Sequence, residues 1–314
     1  MAMQAIGWVR RYRRLISIVV GLISAVLASV VLARQDWAAI FDIVRQTAAG
    51  HVISASLLVA LSFLALSGYD IIAIRLAGMR LPPIGLILKT SFVGTVMAMN
   101  FGFTALSGGA VRAFYYGRAG IPPKGIALIL AHMAATFLLG WLGLFGAALL
   151  FWPIPRLSED LGLSEAVQRA GGVILLCALA GYIIAAFFRL RLRLGQFVWQ
   201  LPSVRLVLVQ IAVSLADACL AGLVVHHLLP PPAPAFLPFM GAFLTAVLMG
   251  MVSQVPGGLG VIEVTLMQLL ESPHPPANIV ASMLLYRLLN FLAPLFLAGV
   301  IVLFDLTRWK QRPA

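Results

Sequence analysis

Charge is scarce in this sequence, and acidic charge scarcer still. Only 10% of the 314 residues are charged, and Asp and Glu together number 10 against 22 Lys and Arg. A soluble domain carries about 25% charged residues, so a water-facing globular enzyme is excluded. Cysteine is nearly absent: Cys177 and Cys219 are the two, and both lie in apolar runs without CxxC spacing. That rules out a disulfide framework and a cysteine metal site. No polar stretch is long enough to hold an appended soluble domain. What the chain does have is hydrophobic residue, at 62%. The net charge of +12 comes from Lys and Arg clustered at the ends of apolar runs. This is the pattern of cytoplasmic loops in a membrane protein, not a nucleic-acid footprint.

The apolar runs predict an all-α polytopic membrane protein. Residues 1–14 form a basic cytoplasmic N-terminus ending in Arg10-Arg11-Tyr12-Arg13-Arg14, and a retained first helix covers about 15–33. Residues 35–50 suit a short interfacial helix with Trp37, Ile40, Phe41 and Val44 on one face. Further spans are expected at about 52–77, 86–104, 126–152, 171–188, 206–228, 236–254 and 278–304. A basic cytoplasmic tail, 307–314, follows a single transmembrane domain of residues 15–306. Both termini are thus placed in the cytoplasm of a bacterial cell with the protein in the inner membrane.

Two stretches break the apolar pattern: Ser107-Gly108-Gly109 and Pro256-Gly257-Gly258. Irregular backbone at membrane depth is tolerated only where protein or a wet cavity covers it. Each break sits in a matching series of landmarks. Asp70, Pro82, Gly108 and Pro122 run in one half; Asp217, Pro230, Gly257 and Pro275 follow at nearly the same gaps in the other. This predicts a duplication, with repeat one at about 15–152 and repeat two at about 171–304. The arginines near 75–80 and 189–205 mark inner loops, and the acidic stretch 154–170 an outer one. The repeats are then inverted, each with a re-entrant helical hairpin entering from the opposite face. In the first hairpin a half-helix is expected to begin at Gly109, with its N-terminus and Arg112 offered to an anionic group.

Asp70, Arg112, Asp217, Glu263 and Arg287 fall in or beside apolar stretches. Burying a charge at the membrane centre costs about 2.5–3.5 kcal/mol on insertion scales, so such residues have partners or line a polar path. The candidate substrate-binding set is these five together with Ser107, Gly108, Gly109, Pro256, Gly257 and Gly258. In one reading the arginines meet a lipid phosphate, while the carboxylates hold them or carry protons. In the other they are structural ion pairs. Asp70 and Asp217 are placed nearer an interface than the rest. Tyr115, Tyr116, Trp141 and Trp152 read as packing or interface anchors. Ser107 with His132 admits a third reading, an intramembrane serine protease, although the serine motif lacks its first glycine. Neither cofactor nor metal is expected, and His226-His227 point to different helix faces.

The order SGGAVRAFYYGRAGIPP, PGGLGVIE and LLYRLLNFLAP resembles the lysylphosphatidylglycerol synthase transmembrane-region family over about residues 15–306. The resemblance implies a domain that moves lipids between leaflets without enzymatic chemistry, and it points to Arg112, Glu263 and Arg287, with Asp70 matched by location. The soluble aminoacyl-transferase domain of the multiple-peptide-resistance factor has no counterpart here. The implied partner is a membrane lipid, whether a phospholipid, a hopanoid or a polyprenyl-linked lipid, and self-association or a partner enzyme is compatible. The alternative function is a non-catalytic membrane partner of a lipid- or glycan-modifying enzyme.

Overall fold

A computed structural model describes residues 37–101, 104–194, 197–270 and 275–310. The expected first span, the basic N-terminus and the end of the tail lie outside the described residues. The described chain is helical apart from one short hairpin: α1 (Trp37–Gln46), α2 (Ala49–Leu76), α3 (Ile84–Phe101), α4 (Thr104–Arg118), α5 (Pro123–Phe151), α6 (Pro155–Leu161), α7 (Glu165–Phe187), β1 (Arg191–Leu194), β2 (Phe197–Gln200), α8 (Val204–Leu228), α9 (Phe236–Ser253), a 3-10 turn (Pro256–Gly258), α10 (Val261–Leu269), α11 (Pro276–Arg287), a π-helical turn (Leu288–Leu292) and α12 (Ala293–Lys310). Seven of the described segments are long and apolar enough to cross a membrane, counting 277–307 as one. An 18-residue helix rises about 27 Å, close to the thickness of a hydrocarbon core. The chain is therefore an all-α polytopic membrane protein. Hydropathy fixes this outcome because hydrocarbon offers no partner for an open backbone group.

Local chemistry sets several boundaries. Proline in the first turn opens α5, α6 and α11, where its missing N–H costs nothing. Ser164 caps α7 through its side chain, which accepts from the Val167 amide. The acidic stretch after Trp152 is folded rather than loose. Buried Gln168 bonds both the amide and the carbonyl of Ile154 and the carbonyl of Leu163. It thereby ties α5, α6 and α7 together. The basic stretch after α7 is a two-stranded antiparallel hairpin, with Arg191 opposite Gln200 and Leu194 opposite Phe197.

Helix α2 packs along α8, and α5 packs against both α7 and α8. Two helical hairpins complete the molecule. Helix α3 doubles back into α4 across residues 102–103, and α9 doubles back into α10 across the Pro256–Gly258 turn. The first arms of both hairpins are 18 residues long. A shared apolar core joins α2, α3, α8, α9, α10 and α11 through Val59, Phe63, Val93, Val224, Phe243, Leu266 and Met283. Helix α1 packs by Ile40 onto Val280 and Ala281 of α11.

The glycine pair of the first hairpin corrects an expectation. Gly108 and Gly109 do not break the helix. They lie inside α4, which begins at Thr104. A Cβ on Gly108 would sit 2.7 Å from the carbonyl oxygen of Gly94 on α3, and one on Gly109 would sit 3.1 Å from Leu130 on α5. The pair is there to let neighbouring helices approach, and Arg112 is in consequence well inside α4 rather than in its first turn. The second glycine stretch does break the chain. Gln254, Gly257, Gly258 and Gly260 all have positive φ, a region that costs most side chains about 1–2 kcal/mol per residue.

Candidate functional site

Four of the five charged residues singled out in the apolar stretches assemble into two buried pairs, each with one member on a hairpin. In the first, Arg112 of α4 faces Asp70 of α2. Its Nε donates to Oδ1 at 2.9 Å and its Nη2 to Oδ2 at 2.8 Å, a two-pronged contact. Nη1 donates to the Gly108 carbonyl at 3.3 Å. The phenol of Tyr116, one helical turn beyond Arg112, donates to Asp70 Oδ1 at 2.9 Å. The side chains of Arg112 and Asp70 are only 4% and 0% exposed. Gly94 creates the room: a Cβ there would lie 2.7 Å from Arg112 Nη1. The planar fork of a guanidinium matches a carboxylate in this way, as an ammonium does not.

The second pair joins the hairpin break to α11. Arg287 donates through Nε to Glu263 Oε1. Its Nη1 reaches the carbonyl of Gly257 at 2.9 Å and its Nη2 that of Gly258 at 3.2 Å. The left-handed glycines turn these carbonyls away from any helical ladder, and the guanidinium, with five donors, gathers them. Glu263 stands in the first turn of α10, where a negative charge is favoured by the helix dipole. Its Oε2 is buried without a hydrogen-bond partner among the described residues. The Arg287 guanidinium also lies 5.1 Å from the Phe291 ring centre.

The two hairpins meet at their tips. A Cβ on Gly257 would sit 3.4 Å from the Met99 carbonyl, at the end of α3, and Asn100 donates to the Phe291 carbonyl at 3.5 Å. Asp217 joins neither pair. It sits mid-way along α8, and it accepts a bond from Tyr69 of α2 at 3.0 Å. Pro256 opens the 3-10 turn. Ser107 lies half-buried near the start of α4, and His132 is buried on α5. His226 and His227 do go separate ways: His226 bonds the Pro234 carbonyl, while His227 bonds Ser54 and stacks on His51.

Some participants escaped sequence reading. Tyr116, expected as an anchor, completes the Asp70 site; its i+4 spacing from Arg112 is the signal that places it on the same face. Tyr115 bonds Asp305 at 2.7 Å, alongside Lys89 at 2.8 Å. That cluster fastens α12 to the first hairpin. Asn290 bonds the Tyr286 hydroxyl, again at i+4.

Apolar helices, paired hairpins touching tip to tip and ion pairs buried beside them define a polytopic membrane protein with a charged interior. Within that class, the chain belongs to the lysylphosphatidylglycerol synthase TM region family, which it matches over residues 15–299. It is 28% identical to inner membrane protein YbhN of Escherichia coli over 287 residues, 90% of this chain and 88% of that one. It is also 30% identical to the uncharacterized protein slr0712 of Synechocystis sp. over 245 residues, 76% of this chain and 74% of the relative.

Proposed function

We propose that the protein is a lipid flippase or transporter that moves a polar or anionic lipid between leaflets, and that it resides in the inner membrane, as the name of its relative YbhN states for that protein. The observation that carries this reading is that each of two hairpins whose tips meet holds one member of a buried arginine–carboxylate pair. A buried pair adds little net stability, because desolvation offsets the attraction. Keeping two of them in an apolar protein favours a working role. Each guanidinium is held by its carboxylate and by glycine carbonyls. An anionic headgroup therefore gains access by displacing the carboxylate, which keeps the arginine paired and leaves the carboxylate to take up a proton or water. Exchange at Arg112 and then at Arg287, or the reverse, passes a headgroup from one hairpin to the other while its acyl chains stay in the lipid.

The inverted arrangement fits this scheme. Arg75, Arg80 and Lys124 flank the open end of the first hairpin, and their charge supports reading that end as the cytoplasmic one. By the same count the second hairpin opens outward. Tips that meet from opposite faces give each leaflet one approach to a shared interior.

The test uses purified protein in liposomes with a labelled anionic lipid. Arg112→Lys and Glu263→Gln should each slow transbilayer movement at least about tenfold, the effect of roughly 1.4 kcal/mol. Glu165→Gln, which alters an exposed pair, should leave the rate unchanged. Full activity in the Arg112→Lys, Glu263→Gln double variant would show that the pairs are structural only.

A further inference from the structure

Asp217 differs from the other carboxylates of the transmembrane helices. Asp70 and Glu263 each carry an arginine, and Asp305 carries Lys89. Asp217 has no lysine or arginine partner among the described residues. A hydroxyl holds it instead: Tyr69 donates to Oδ2 at 3.0 Å, with Ser62 close by. Tyr69 and Ser62 are buried, whereas Asp217 is half-buried. It is the fourteenth of 25 residues in α8, about 20 Å from one end and about 16 Å from the other. An ionisable group at that depth is costly unless it has a partner or a task.

Few titratable groups surround it: Cys219 is two residues on in α8, and Arg287 of α11 is held by Glu263. Tyr69 faces it from α2, and Tyr286 lies within electrostatic reach on α11. On α5, His132 lies beyond Thr136, which bonds Gln210 two turns along α8 from Asp217. Helix α9 has no titratable residue. On α7, Glu165 and Arg169 pair with each other, Cys177 is exposed, and Tyr182 packs near Val207 at the far end of α8. The Tyr69 hydroxyl also lies 3.1 Å from Ser214 Oγ. It therefore has two acceptors to choose between, and Tyr69 adjoins Asp70, the anchor of Arg112.

We propose that Asp217 binds and releases the proton that drives the lipid cycle, and that Tyr69 reports its state to the Asp70–Arg112 pair. This rests on the transporter reading above. With Asp217 charged, Tyr69 donates to the carboxylate. When a proton from one aqueous face binds an Oδ atom, the carboxyl group becomes a donor itself and Tyr69 turns to Ser214. Backbone at 69–70 then shifts against the guanidinium of Arg112. Release of the proton to the opposite face resets the switch, so nothing is consumed but the gradient. Tyr69 acts here as a positioning residue.

Two measurements test this separately. Infrared difference spectra of reconstituted protein across pH should show a carboxylic acid C=O band that Asp217→Asn removes and Tyr69→Phe shifts in pH midpoint. In liposomes, an imposed gradient of one pH unit should support up to about a tenfold asymmetry in labelled-lipid distribution per proton. Asp217→Asn should equilibrate the lipid with no asymmetry. A band that survives Asp217→Asn, or an asymmetry that does, overturns the proposal. A band that depends on Asp217 in protein that moves no lipid leaves the proton site standing and removes the transporter reading instead.

Discussion

Asp70 receives three hydrogen bonds, two from Arg112 and one from Tyr116, while almost wholly excluded from solvent. Truncating one member of such a buried pair leaves the other charge bare, at a cost of about 3–5 kcal/mol. Asp70→Asn and Arg112→Gln should therefore each lower the midpoint of thermal unfolding sharply. The double variant, neutral on both sides, should be more stable than either single one. Strict additivity of the two losses in a double-mutant cycle would mean that the contact is energetically empty. Sequence reading nominated these residues because charge stands out in an apolar run. It could not choose their partners, since Asp70 and Arg112 are 42 positions apart in the chain and meet only when α2 packs by α4. Tyr69 was missed altogether for that reason: hydroxyls are common in membrane helices, and only the fold aims this one at Asp217.

Glycine does two different jobs in the two hairpins. Between α3 and α4 it is a spacer, with Gly94 and Gly108 backbone to backbone. At 257–260 it is a hinge with positive φ. Gly108→Val should cost about 1–3 kcal/mol by overpacking, and Gly257→Ala about 1–2 kcal/mol by strain. Gly181→Ala, in α7 with nothing within 4 Å of the new Cβ, should be neutral or slightly stabilising. Thermal melts of the three variants check the ranking. Sequence alone cannot separate spacer from hinge, because both read as a glycine pair in an apolar run. Pro256 gave the second break away, whereas Gly108-Gly109 has no adjacent proline and stays helical. The apolar spans themselves were legible to within a few residues, apart from an earlier start to α7 at Glu165, since hydrocarbon leaves a backbone so few choices. The hairpin at 191–200 was not, because its basic, alternating residues read equally well as a loop.

At the scale of the molecule, the proposed transport needs the two hairpins to open towards opposite faces. Single cysteines at Pro122, Glu159, Arg189 and Pro231, in a background free of Cys177 and Cys219, should report inside, outside, inside and outside to an impermeant thiol reagent in intact cells. Labelling of position 122 from outside would undo the inverted plan, whatever the ion pairs do. Beneath it stands the claim that lipid crosses at all. Reconstituting the folded protein with a headgroup-labelled anionic lipid, and bleaching the outer leaflet with an impermeant reductant, measures this directly. The account predicts loss of more than half the label in protein-containing vesicles, with Arg112→Lys protein holding near the half lost by empty vesicles. Protection of the inner-leaflet label by wild-type protein, for anionic and zwitterionic lipids alike, would contradict it.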